Sequence, residues 1–189
     1  MQSIGKYAFS GCSSLEGLII PDRVTSIGDW AFDHCYSMTS LHIGNSVQSI
    51  GDRAFSGCYS LESLIIPDGV TSIGDRAFSY CHSLISVKIG NGIQSIGDYT
   101  FLDCSELESV IIPNSVTFIG SGAFGDCFKL RSVFYEGTAE EWASLPSASK
   151  NGYHLNKATK YYYIENKIDL PINGGNYWHY DDNGEVAIW

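Results

Sequence analysis

The side chains that could do chemistry come in columns. Cys12, Cys35, Cys58, Cys81, Cys104 and Cys127 stand 23 residues apart (35 − 12 = 23). Six cysteines invite a disulfide or a metal reading. A zinc site needs close ligand pairs such as Cys-x-x-Cys, which a step of 23 does not supply. Asp29, Asp52, Asp75 and Asp98 form a second column on the same step. The histidines, His34, His42, His82, His154 and His179, share no metal-like spacing. Asp181-Asp182-Asn183-Gly184-Glu185 lacks the alternate acidic positions of a calcium loop. There is no Gly-x-Ser-x-Gly, no phosphate-binding glycine loop ending in Lys-Ser/Thr and no His-Glu-x-x-His. These residue types point away from catalysis, a metal or a cofactor, and toward stacking.

The elements that position these columns follow the same step. Ile4, Ile27, Ile50, Ile73, Ile96 and Ile119 keep it, each followed by Gly. Phe9, Phe32, Phe55, Phe78, Phe101 and Phe124 keep it too. So do the columns that begin at Leu15, Leu18, Ile20 and Val24. A unit this short cannot close a core alone, so its apolar face must be covered by the next unit. The result is a solenoid in which each column stacks as a ladder. Pro21, Pro67 and Pro113 alternate with Gly44 and Gly90, a superperiod of 46 (67 − 21 = 46) that a duplicated two-unit block explains.

One unit, Val47 to Gly69, shows the local structure. Leu61-Glu62-Ser63-Leu64-Ile65-Ile66 places Leu64 and Ile66 on one side of a strand. Pro67-Asp68-Gly69 is a turn. Val70 to Ile73 is a second short extended piece. Asp75 then stands as the N-cap of a short helical turn that carries Ala77 and Phe78. Parallel coils about 4.8 Å apart hold successive cysteine side chains parallel, whereas a disulfide needs converging Cβ atoms roughly 3.5–4.5 Å apart. The thiols therefore read as reduced, buried, small apolar groups.

Composition sets the outer bounds. Of 189 residues 44% are hydrophobic, enough for a real core. The net charge of −10 gives no general attraction to phosphate backbones, so nucleic acid is not an expected partner. No stretch approaches the roughly 20 apolar residues of a membrane span. Met1-Gln2-Ser3-Ile4-Gly5 has neither the basic start nor the apolar run of a signal peptide.

The unit Leu-x-x-Leu-x-Ile-Pro-x-x-Val-x-x-Ile-Gly-x-x-Ala-Phe-x-x-Cys resembles the BspA-like bacterial leucine-rich repeats, over residues 1–135. The resemblance implies a right-handed repeat solenoid of the leucine-rich-repeat type. Its parallel β-sheet forms the concave face, short strands and helical turns form the convex side, and a C-terminal β-hairpin caps it. It also implies a non-enzymatic module for protein–protein interaction or adhesion, secreted or on a bacterial cell surface, whose partner is a host matrix or bacterial surface protein. The concave positions left free by the ladders are then the candidate partner-binding residues. One column holds Glu16, Thr39, Glu62, Ile85, Glu108 and Arg131; another holds Ile19, His42, Ile65, Lys88, Ile111 and Phe134. A column of Ser or Gly between them, such as Ser63, leaves room for a partner's backbone. Ile19, Ile65 and Ile111 are apolar where exposure is expected, which marks a partner surface.

Residues 136–189 read as an aromatic-rich capping region following the solenoid of about six 23-residue units in 1–135. Thr138 and Glu141 form a capping box that starts a short helix with Trp142 inward. Residues 147–152 read as a loop, Tyr161–Ile164 as a strand and residues 170–175 as a connector. Tyr177–Tyr180 and Glu185–Trp189 read as a hairpin with its turn at Asn183-Gly184. Trp178, Tyr180 and Trp189 beside that turn distantly resemble choline-binding and other cell-wall-binding hairpins, which makes a glycan the alternative partner; a passive spacer role is the other alternative. The first unit begins in mid-repeat, and an uncovered first coil would favour weak end-to-end self-association.

Overall fold

The computed structural model describes residues 2–146, 152–165 and 175–189. Twelve strands alternate between two sets along the solenoid. The odd-numbered ones are two-residue pieces: β1 (Ser3–Ile4), β3 (Ser26–Ile27), β5 (Ser49–Ile50), β7 (Ser72–Ile73), β9 (Ser95–Ile96) and β11 (Phe118–Ile119). The even-numbered ones are the Leu-x-Ile strands: β2 (Gly17–Ile20), β4 (Ser40–Ile43), β6 (Ser63–Ile65), β8 (Ser86–Lys88), β10 (Ser109–Ile112) and β12 (Ser132–Tyr135). All pairings within each set are parallel and step by one repeat: Leu18 faces Leu41, Leu64 faces Val87, and Val110 faces Val133. The two sets enclose a core of stacked ladders in which Phe55, Phe78, Phe101 and Phe124 are fully buried. Successive Phe rings lie 5.1 to 5.8 Å apart from Phe9 to Phe124.

The turns that follow the odd-numbered strands are sewn to the next coil rather than wound into continuous helices. In each coil alternate amides turn back on the chain, as Ala54 N–H does to Gly51 C=O at 3.3 Å. The others reach forward, as Arg53 to Asp75, Phe55 to Ala77 and Gly57 to Ser79 at 2.8 to 3.0 Å. The aspartate column differs from its expected role. Asp52 Oδ1 accepts from the amide of Asp75 at 2.9 Å, and Asp75 Oδ1 from that of Asp98 at 2.9 Å. Each carboxylate thus bridges to the following coil instead of capping its own turn. Both roles use a carboxylate to accept backbone N–H, which is why sequence alone does not separate them.

The cysteines are free thiols, exposed at Cys12 and buried in the other coils. Each buried thiol donates to a phenylalanine carbonyl of the preceding coil, Cys81 to Phe55 at 3.5 Å and Cys104 to Phe78 at 3.4 Å. Burial pushes the thiols up from an ordinary 9.0, to about 11 at Cys35 and about 12 at Cys81 and Cys127. Below pH 9 folded and unfolded chains both hold these protons. Above it the unfolded chain ionises first, so stability is lost as pH rises, until the folded thiols release theirs near 11 to 12. Each thiol contributes a slope of up to about 1.4 kcal/mol per pH unit in that window. Urea midpoints measured from pH 8 to pH 11 should fall steeply above 9, and Cys81→Ala should flatten the fall by one thiol's share. A midpoint that stays level across the window refutes the buried-thiol account.

Beyond β12 the sheet continues. The capping box at Thr138 and Glu141 opens α1 (Ala139–Ser144), whose Trp142 packs on Tyr135 at 5.3 Å. A second helix, α2 (Gly152–Lys157), was not evident in the sequence. Its last carbonyls are held by Lys160 Nζ, which donates to Leu155, Asn156 and Ala158 at 2.6 to 2.7 Å. β13 (Thr159–Tyr163) adds in parallel to β12, β14 (Tyr177–Tyr180) adds in parallel to β13, and β15 (Val186–Ile188) closes an antiparallel hairpin. The turn runs from Asp181 to Gly184, where Asp181 Oδ1 accepts from the amides of Asn183 and Glu185 at 2.8 and 2.9 Å. Those two bonds hold the Asp181 carboxyl below its ordinary value. The loop and connector expected at 147–152 and 170–175 lie outside the described residues except for Gly152 and Gly175.

Candidate functional site

The sheet of even-numbered strands presents the two free columns to solvent, with the ladders beneath. Glu16, Thr39, Glu62, Ile85, Glu108 and Arg131 are exposed at the strand entrances. Their backbones are tied coil to coil, Arg131 N–H to Glu108 C=O at 3.0 Å for example. The inner column is graded. Ile19 is 76% and Ile65 is 65% exposed, Lys88 and Ile111 are half-buried, and Phe134 is 8% exposed. Phe134 lies on the expected face, but Tyr161 stacks on it at 5.0 Å and Trp178 meets it edge-on at 5.6 Å.

The tail causes this gradient. Because Tyr161 pairs with Phe134 in register, β13 extends the inner column by one rung. Trp178, paired with Tyr163, then folds onto the same face and is wholly buried, its indole N–H donating to the Tyr135 carbonyl at 3.1 Å. Tyr163 and Tyr180 close over it with ring centroids at 5.3 and 4.9 Å. The hairpin tip runs back along the groove as far as β8 and β6. There the Lys88 ammonium lies 4.7 Å from the Tyr180 ring centre, and the Tyr180 hydroxyl donates to Glu136 Oε1 at 2.6 Å. Burial, then the Glu136 carboxylate, pushes that hydroxyl well above its ordinary range.

Between sheet and hairpin a half-open cavity of about 480 Å³ remains. Its floor is Ile65, Lys88, Ile111 and Phe134 with the small Ser63, Ser86 and Ser109; its roof is Tyr180, Glu185 and Val186. Four of the candidate residues thus converge with four tail residues, Tyr180, Gly184, Glu185 and Val186, that sequence reasoning did not place there. The Asp-Asn-Gly turn announces a hairpin, but no local signal says which surface the hairpin covers. Ile19 and His42 lie outside the roofed section, as do the six entrance residues. Trp178, proposed by sequence as a glycan platform, has no open face. Trp189 stacks on His179 at 3.8 Å. Among the described residues no group of three or more His, Cys, Asp or Glu side chains could hold a metal ion, and no helix is long and apolar enough to cross a membrane.

A parallel solenoid whose fixed residues serve stacking, with a groove on its strand face, defines a leucine-rich-repeat protein. The chain belongs to the BspA-type leucine-rich-repeat family, whose repeat region matches residues 2–131 in six copies. Among solved structures it is similar to the T. pallidum leucine-rich-repeat protein TpLRR, at 26% identity and a TM-score of 0.54, over 80% of this chain and 77% of that one. A leucine-rich-repeat protein from Eubacterium ventriosum superposes with a TM-score of 0.62 at 20% identity, over 94% of this chain and 49% of that one. The chain therefore spans about half the length of the Eubacterium protein. A comparison with curated proteins returned no match.

Proposed function

We propose that this chain is a non-enzymatic protein-interaction module of a bacterial surface or secreted protein, which takes a segment of its protein partner into the roofed section of the concave groove. The observation that carries this reading is the 480 Å³ cavity, in which apolar Ile65 and Ile111 flank Lys88 beneath a hairpin pinned by Tyr180. Its volume has room for more than one side chain of a partner segment, and the Ser63, Ser86 and Ser109 column leaves a path for the partner's backbone. A host matrix protein or another bacterial surface protein is the partner this reading favours. The strands β13 to β15 then have two roles, covering the last coil and roofing the groove.

The test is a binding screen of the whole chain against immobilised matrix proteins, with cell-wall glycan as a parallel surface. Ile65→Asp should weaken protein binding at least about tenfold, since it places a charge in an apolar anchor site. Ile19→Asp, outside the roof, should leave affinity within about twofold. Equal loss in both variants, or none in either, would sink the groove as the contact.

A further inference from the structure

A second opening, on the turns, shares no residue with the roofed groove. It is a notch of about 190 Å³ beside Gly57. The neighbouring coils carry His34 and Tyr80 at the same position, and all three backbones are left-handed, with φ of 59°, 71° and 60°. Side chains therefore fit this column; at Gly57 the His34 ring leans into the space instead, its Cδ2 3.3 Å from where a Cβ would stand, and the notch lies between that ring, Tyr59 and Tyr80.

Arg53 and Arg76 wall the gap. They are neighbours in a column that runs Trp30, Arg53, Arg76, Tyr99 along successive coils (53 − 30 = 23). The Arg53 guanidinium lies 4.3 Å from the Trp30 ring centre, and that of Arg76 lies 4.4 Å from the Tyr99 ring centre. Each cation thus leans outward onto its own aromatic plate, and the pair is parted across the notch. Among the described residues neither guanidinium has a carboxylate within ion-pair distance; the ion pairs are Lys6–Asp29, His34–Asp33, His82–Asp103 and Lys129–Glu106. Trp30, Arg53, Arg76 and Tyr99 also adopt positive φ, between 53° and 57°. That conformation costs a non-glycine residue on the order of 1 kcal/mol, and Gly122 occupies the same column at φ 59°. The fold accepts glycine here yet carries stacked arginines. His34 is oriented by the buried Asp33, whose Oδ2 accepts from Nδ1, and its ring faces the notch.

We propose that the Gly57 notch binds a tetrahedral oxyanion, the sulfate or phosphate of a monoester carried by a partner. Arg53 and Arg76 line the notch on two sides and His34 on a third, so donors are available to acceptor oxygens in several directions, whereas a carboxylate would use one guanidinium alone. The aromatic plates hold both forks open, so little side-chain freedom is lost on binding.

The test is an amide NMR titration of the whole chain with inorganic sulfate and, separately, inorganic phosphate, at ionic strength held constant with chloride. The expected result is saturable shifts confined to residues around Gly57, Arg53 and Arg76, with millimolar or tighter affinity. The tighter-bound of the two ions identifies the ester. Affinity should fall at least about tenfold in Arg76→Gln, since a charge-assisted hydrogen bond is removed. It should fall comparably in Gly57→Asn, which pushes the His34 ring into the notch with a residue that tolerates the left-handed backbone. Absence of saturable shifts, shifts scattered over the surface, or unchanged affinity in both variants would overturn the proposal. The wild-type shift map decides by itself if either variant fails to fold.

Discussion

Replacing Phe78 by alanine is expected to cost about 4 kcal/mol and to divide the unfolding of the solenoid into two transitions. Phe78 is fully buried, and its ring lies nearly parallel to Phe55 at 5.3 Å and to Phe101 at 5.8 Å. Truncation of a buried phenylalanine costs about 3–5 kcal/mol through lost transfer energy and an unfilled cavity, and two ring contacts are lost besides. In a stacked array each coil is stabilised by its neighbours, so damage at the middle uncouples the halves. Phe9→Ala supplies the contrast. Phe9 is 46% exposed and stacks on Phe32 alone within the column, at 5.1 Å, so its loss should cost about 1 kcal/mol. Urea unfolding followed by circular dichroism reads both. A similar cost for the two variants would mean that the ladder does not carry the array's cohesion.

That contrast also indicates what a sequence of this kind displays. A ladder needs the same residue type in every coil, so Phe9 to Phe124, Ile4 to Ile119 and the cysteines stand out as columns, and stacking follows from them directly. The free positions are equally legible as positions: Ile65 and Lys88 face outward as alternation along a strand requires. Their surroundings are a different matter. Phe134 belongs to the same outward column, yet Tyr161 and Trp178 bury it, through contacts made by residues of β13 and β14. The pairing of Tyr180 with Lys88 joins residues far apart in sequence, and no periodic signal reports it. The notch at Gly57 is intermediate. Its column reads His34, Gly57, Tyr80, but the gap acquires meaning only when the left-handed turns set Arg53 and Arg76 beside it.

The groove and the notch follow from one property of the fold. Stacking constrains the ladder positions so tightly that chemistry can vary only at positions the coil leaves outside. On the sheet those positions are Glu62 and Ile65; on the turns they are Arg53 and Gly57. A tail that returns over one of these surfaces converts an open row of side chains into a cavity without disturbing a single rung.

The tightness of the rungs can be measured at Gly74, where alanine is expected to cost about 3 kcal/mol. A Cβ at Gly74 would stand 2.3 Å from Asp52 Oδ1, 2.5 Å from the Asp52 amide nitrogen and 2.7 Å from the Gly51 carbonyl carbon. None of these atoms can retreat cheaply. Asp52 Oδ1 is held by the Asp75 amide at 2.9 Å, and the Gly74 amide itself donates to the Ile50 carbonyl at 2.8 Å. Relief therefore requires the coils to part, breaking the bridge between them, and overpacking of this kind costs about 1–3 kcal/mol before those hydrogen bonds are counted. The backbone of Gly74 is not left-handed, so the cost arises from close approach and not from strain. Gly5→Ala is the control, since a Cβ there meets nothing within 4 Å. It should change stability by no more than about 0.5 kcal/mol. Differential scanning calorimetry of the two variants separates the cases. A Gly74→Ala protein that melts with the wild type would mean that neighbouring coils are free to slide apart, and the aspartate bridges would then contribute nothing to their spacing.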